Sequence, residues 1–247
     1  LSAAKILTDQ EVQGLALPIK SEYWWFPIQR GFGGELFDEA GNPTLNSNGS
    51  SEAMQWMLDL ELEHEVVATG TQIEGMKNQF ITSEAAMIID GPWNWATYES
   101  SRLNIGQTIL PTVSDTSERM SPLVTYKGWT VSKQSAHKIA ATELGLWLSS
   151  QSVQKEFALE TYTMPTHKSL ESDVDILEDE VISGFLEQTN YATPAPTTMA
   201  MSLVYEGPLS TAFNQAYTGV ATTSETLNDA NAELILLIED LQTAEPV

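Results

Sequence analysis

Apolar positions along this chain fall into two patterns, short unbroken runs and helical stripes. Gly14-Leu15-Ala16-Leu17-Pro18-Ile19 and Ala85-Ala86-Met87-Ile88-Ile89-Asp90 are runs of strand length, suited to extended backbone buried on both faces. Ile105 to Leu110, stopped by Pro111, and Gly128-Trp129-Thr130-Val131-Ser132 predict two further strands. Helical spacing governs much of the rest. Met54, Met57, Leu58 and Leu62 form a stripe behind Ser50 or Ser51, either of which can cap a helix. Glu61, Glu63, His64 and Glu65 read as the solvated end of that helix. Ala136 to Leu148 is amphipathic, and Ser149-Ser150-Gln151-Ser152 opens another helix running through Thr161. Helical stretches then cover 173–188, 199–217 and 223–241, broken by Pro194-Ala195-Pro196 and by Gly219. The opening Leu1-Ser2-Ala3-Ala4-Lys5-Ile6-Leu7 reads as the last turns of a helix already under way, so a fragment lacking its beginning is expected. Strands alternating with helices predict an α/β fold with largely parallel sheets.

A chain of 247 residues can hold one large domain or two modest ones. Its 34 acidic residues outnumber 11 basic ones, and the resulting charge of −23 repels phosphate backbones and anionic lipid. Nucleic acid is therefore excluded as a partner. The absence of cysteine removes disulfides, thiol nucleophiles and cysteine zinc sites. No run approaches the roughly 20 apolar residues that span a bilayer.

Few constellations for catalysis are present. His64, His137 and His167 are far apart, and none sits in a nucleophile or zincin motif. Gly31-Phe32-Gly33-Gly34 lacks the context of a dinucleotide fingerprint, and no P-loop occurs. No catalytic residue, metal ligand or cofactor is assigned. Acidic side chains are so abundant that a carboxylate pair for glycoside hydrolysis can always be imagined, which makes that signal nearly uninformative.

Aromatic residues are the more specific feature. Tyr23, Trp24 and Trp25 lie between Pro18 and Pro27, and Trp93 and Trp95 lie in Gly91-Pro92-Trp93-Asn94-Trp95. Both clusters are expected in turns or at strand ends, presenting flat rings to a flat ligand. Sugar rings, with C–H faces and hydroxyl rims, fit such a surface. The competing reading is that these rings cap a core.

Phe80-Ile81-Thr82-Ser83-Glu84-Ala85-Ala86-Met87, continued by Ile88-Ile89-Asp90-Gly91-Pro92-Trp93-Asn94-Trp95, resembles the signature of the bacterial family 1 extracellular solute-binding proteins. Within that family the likeness is to the maltose/maltodextrin-binding proteins of ABC importers. It extends through Gly106 to Pro111, Gly128 to Ser132, Trp147 to Ser150 and Thr223 to Ala230, with Ser83 departing from the usual Gly. The resemblance implies a type II periplasmic-binding-protein-like α/β fold of two lobes with ligand in the cleft between them. Residues 1–121 and 171–247 would build the C-terminal lobe, and 122–170 would return to an N-terminal lobe lying mostly upstream. It further implies ligand contacts from Tyr23, Trp24, Trp93 and Tyr205, with Ser21 or Glu22 supplying a polar neighbour. Trp25, Trp95 and Trp129 are expected mainly to pack. The implied partners are an oligosaccharide and a membrane permease. The receptor would be a monomer, periplasmic or extracellular, with a lipid anchor accommodated upstream. A glycoside hydrolase, or a binding protein for another sugar or for glycerol phosphate, is the alternative.

Overall fold

The computed structural model of the chain describes residues 1–204 and 207–243. Packing divides it into two compact units, Leu1–Ile89 with Leu110–Leu123 and Thr193–Val247, and Asp90–Ile109 with Val124–Ala192.

In the first unit the apolar run at 15–19 is buried as its composition demands, with Ala16, Leu17 and Ile19 almost inaccessible. It lies parallel to the second run, through bridges Gln13 to Ala85 and Ala16 to Ile88. The Gln13 carbonyl accepts from the Ala86 amide at 2.9 Å, and the Ala16 amide donates to the Met87 carbonyl at 2.9 Å. Between them the Leu15 amide turns the other way, to the Val66 carbonyl at 3.0 Å. That divided allegiance interrupts the ladder, so the expected parallel strands exist as paired bridges rather than a continuous sheet. A second short pairing sets Thr193–Pro194 beside Leu123–Val124. There the Thr193 amide meets the Pro122 carbonyl at 2.9 Å.

Helices supply most of this core. Glu22–Gly31 is a helix, which corrects the expectation that Tyr23, Trp24 and Trp25 occupy a turn. Pro27 removes one intrahelical hydrogen bond, at a cost of about 3 kcal/mol. Burial of Phe26 and Ile28 alone offsets that, at roughly 1.5–3 kcal/mol each, before Trp24 and Trp25 are counted. The helix Asn48–Leu62 starts a little earlier than its pattern indicated, because Ser47 rather than Ser50 caps it, accepting from the Ser50 amide at 3.2 Å. Ser50 is instead buried and accepts from Gln29 Nε2 at 2.8 Å. Met54, Met57 and Leu58 face the core as the stripe predicts, but Leu62 is exposed.

Glu61 is buried at 6% exposure, against the expectation of a solvated helix end. Its carboxylate is satisfied by the Tyr217 hydroxyl and, at 3.3 Å, by the Gly70 amide. Tyr217 ends the helix Pro208–Tyr217, which packs along Thr223–Thr243. Gly219 breaks the chain between them at a φ of +70°, a conformation that favours glycine. The capping box of the long helix is reciprocal: Glu225 accepts from the Thr222 amide at 2.9 Å, and the Glu225 amide donates back to the Thr222 hydroxyl at 3.2 Å. Those Thr222 donors hold the Glu225 carboxyl below its ordinary range.

The second unit has a small core of Ala158, Leu170, Ile176 and Ile182. Around it stand helices Trp95–Ser100, Lys138–Leu148, Gln151–Thr161, Val174–Glu178 and Glu180–Thr189. Asp179, whose side chain caps the last of these, divides the single helix expected across 173–188. Lys155 bridges Asp173 at 2.7 Å and Asp175 at 2.6 Å, which raises its own ammonium pKa. Residues 105–110 and 128–132, expected as strands, form neither helix nor strand. The helix Lys138–Leu148 has no buried residue. Ile139 and Leu146 on that helix are largely exposed, as is Trp129, which corrects the packing role expected for that indole.

Candidate functional site

Each unit carries one of the aromatic clusters. In the first, Lys20 through Trp24 form the entry to the helix Glu22–Gly31. Ser21 takes the extended N-cap position, φ −101° and ψ 121°, and its carbonyl accepts from the Trp25 amide at 3.0 Å. Glu22 then falls in the first turn, where its charge complements the positive end of the helix dipole. Ser21 and Glu22 are both half-buried, so their polar atoms remain within reach of solvent.

The three rings of this cluster have separate fates, decided by helical geometry. Trp25 is wholly buried and meets Phe213 edge-on at 5.8 Å. Trp24 is 8% exposed, with its indole N–H donating to the Ile89 carbonyl at 2.7 Å. Tyr23 is 40% exposed and rests against Trp24 in an edge arrangement, with ring centroids 5.0 Å apart. A hydrogen-bonded indole therefore backs an outward-facing phenol. Nearby, the Lys20 ammonium sits 4.5 Å from the centre of the Tyr217 ring. The Glu61 carboxylate raises the Tyr217 phenol pKa, with burial adding to the effect.

In the second unit, Pro92 opens a short 3-10 turn, Pro92–Asn94, that leads into the helix Trp95–Ser100. This is the helix-start role its missing N–H allows. Trp93, at the centre of the turn, is 59% exposed. Asp90 gathers three donors around it: the Gly91 amide at 2.8 Å, Asn94 Nδ2 at 2.8 Å and the Tyr98 hydroxyl. Trp95 packs edge-on against Tyr162 and Phe185 at 6.4 and 6.1 Å, as a packing residue does. Tyr162 donates to Glu99 at 2.9 Å; burial first, and then this carboxylate, push its phenol up to about 12.

Of the expected ligand contacts, Tyr23 and Trp93 thus present open rings, while Trp24 serves beneath one of them. Tyr205 lies outside the described residues. Sequence reasoning passed over Asp90, Tyr98 and the Lys20–Tyr217–Glu61 group. Asp90 stood out as the end of an apolar run and as part of the signature stretch, without a role of its own, and the residues of the Glu61 group are too far apart in sequence to be read together. Among the described residues no group of three or more His, Asp or Glu side chains could hold a metal ion. None of the described helices is long and apolar enough to cross a membrane.

Comparison with known proteins places this geometry in context. Residues 1–155 match the family model of the bacterial extracellular solute-binding proteins. The chain is 26% identical over 215 residues to the maltodextrin-binding protein MdxE of Bacillus subtilis, covering 84% of this chain and 51% of that protein. It is 28% identical over 218 residues to a galactooligosaccharide-binding protein of the same organism, with the same coverage. The chain therefore spans about half the length of the curated relatives it matches. Among solved structures, the maltose/maltodextrin-binding domain MalE from Bdellovibrio bacteriovorus, bound to maltotriose, superposes with a TM-score of 0.87. That match is 24% identical and covers 96% of this chain and 65% of the other. A cyclo/maltodextrin-binding protein complexed with maltotetraose gives a TM-score of 0.82 at 24% identity, covering 99% of this chain and 64% of the other. The fold is the α/β fold of these type II periplasmic binding proteins.

Proposed function

The chain belongs to the bacterial extracellular solute-binding protein family, and on that premise we propose that it serves as the receptor of an ABC sugar importer, binding a maltodextrin-like oligosaccharide. The supporting observation is the contrast between neighbouring rings. Trp24 and Trp25 are buried, yet Tyr23 and Trp93 leave large apolar faces in water, where each face carries a hydrophobic cost. Stacking a pyranose C–H face on either ring removes that cost at about 25 cal/mol per Å². Ser21 and Glu22, beside Tyr23, are the polar groups positioned to meet sugar hydroxyls. Tyr205 would add a third ring. A few such contacts with matched hydroxyls reach micromolar affinity, about −8 kcal/mol.

In this reading the ligand is handed to a membrane permease unchanged, so no side chain acts as a catalyst and no cofactor is needed. The receptor works as a monomer outside the cytoplasmic membrane. Residues 1–121 with 171–247 act as one lobe and 122–170 as part of the other. That functional division cuts the chain at different places from the two packing units.

The test is isothermal titration of the full-length receptor with maltotriose and maltotetraose, with product analysis afterwards. Micromolar binding with intact sugar supports the proposal, and hydrolysis of the sugar would replace it with an enzyme. A second reading is favoured by the 28% identity to a galactooligosaccharide-binding protein: the same platforms would take a galactose-based chain. Titration with a galactooligosaccharide in parallel separates the two, because hydroxyls mismatched in orientation leave buried polar groups unpaired at about 1–3 kcal/mol each.

A further inference from the structure

We propose that Asp90 is the positioning residue of Trp93, locking the exposed indole in one orientation so that it meets a ligand preorganised. The three donors to its carboxylate straddle the tryptophan in sequence. Gly91 stands before it, and Asn94 and Tyr98 follow. One carboxylate therefore closes the segment from 91 to 98 upon itself, with Trp93 on the closed turn. Tyr98, 3% exposed, anchors the far side of that closure. Charge-assisted hydrogen bonds of this kind are stronger than neutral ones.

Gly91 supplies the second, independent observation. Its backbone is extended, φ −111° and ψ 174°, a conformation open to any residue. Glycine is not required there by the chain path. It makes room for the indole as it lies: a Cβ at this position would overlap the six-membered ring of Trp93, and the ring would have to swing away. The ring therefore lies back on the Gly91 peptide while over half of the residue stays open. Pro92, between the two, restricts its own φ and so removes one backbone rotation from the link that connects them. Asp90 holds the turn, and the turn holds the ring.

The physical consequence is entropic. A tryptophan that samples several rotamers in water loses that freedom when a sugar stacks on it, whereas one already fixed loses little. The expected gain from fixing one side chain is roughly three- to ten-fold in affinity. This inference rests on the reading of Trp93 as a ligand platform, but the orientation of the ring can be measured without any ligand.

The experiment uses the full-length receptor labelled with 5-fluorotryptophan, with the Trp93 signal assigned through Trp93→Phe. Asp90→Ala should shift or broaden the Trp93 fluorine resonance while that of buried Trp25 stays in place, and Asp90→Asn, which keeps one acceptor oxygen, should do so less. In titrations with maltotriose, Asp90→Ala should weaken binding roughly three- to ten-fold. The same change made in a Trp93→Ala background should have no further effect. An unmoved Trp93 resonance in Asp90→Ala overturns the proposal. So does displacement of all the fluorine signals together, which would make Asp90 a general fold residue, and so do losses that simply add in the double variant. If the unmodified receptor fails to bind maltotriose, the sugar reading falls and the fluorine spectra alone decide on Asp90.

Discussion

Tyr217 and Glu61, 156 residues apart in sequence, meet with the phenolic hydroxyl donating to the carboxylate at 2.6 Å. The pair ties the end of the helix Pro208–Tyr217 to the end of Asn48–Leu62. A buried carboxylate deprived of its donor carries its desolvation cost uncompensated. Tyr217→Phe is therefore expected to destabilise the protein by about 1–3 kcal/mol. Glu61→Gln keeps an acceptor oxygen and should lose less. Urea unfolding midpoints check this, and a Tyr217→Phe variant as stable as its parent would contradict it.

Rings of the two clusters should separate binding from stability. Trp25→Ala leaves a cavity beside Phe213 and should cost about 3–5 kcal/mol. Tyr23→Ala and Trp93→Ala remove exposed groups, so unfolding midpoints should move little while maltotriose affinity falls roughly ten-fold, equivalent to about 1.4 kcal/mol. Trp24→Phe should do some of each, because it deletes the hydrogen bond to the Ile89 carbonyl that seats the ring behind Tyr23. Calorimetry and thermal unfolding on the same four variants of the full-length protein provide the comparison.

Alkaline pH should act through Tyr162. Its phenol is raised from 10.0 to about 12 by burial and by the Glu99 carboxylate, so the folded state favours the protonated form. The stabilisation is complete below the unfolded value near pH 10 and is lost as pH rises through about 12. Stability measured from pH 9 upward should decline over that interval. Tyr162→Phe should flatten the decline, and an unchanged slope in the variant would assign it elsewhere.

The second unit shows an apolar surface at Trp129, Ile139, Leu144, Leu146 and Trp147. Such a patch associates with other apolar surfaces. The 247 residues expressed by themselves should bind a hydrophobic dye and scatter light at high concentration. Replacing Ile139 and Leu146 with Lys should reduce both signals without lowering the helix content seen by circular dichroism.

Local patterns in the sequence determined much of this molecule. The stripe at Met54, Met57 and Leu58, the breaks at Pro194 and Gly219, and the Thr222–Glu225 cap all follow from neighbours within a helical turn or two. The segment from Phe80 to Trp95 was enough to point to the family, because its residues occur in one continuous stretch. Tertiary structure alone decided which way the rings face. Tyr23, Trp24 and Trp25 are nearly interchangeable to a hydropathy pattern, and only the helix they share, with Ile89 and Phe213 beside it, turns one outward and two inward. The burial of Glu61, the interrupted pairing of 13–16 with 85–88 and the grip of Asp90 on its turn were likewise settled by packing. Hydrogen-bond partners and burial depend on what the chain brings alongside, whereas helical stripes, breaks and caps depend on what the chain contains nearby.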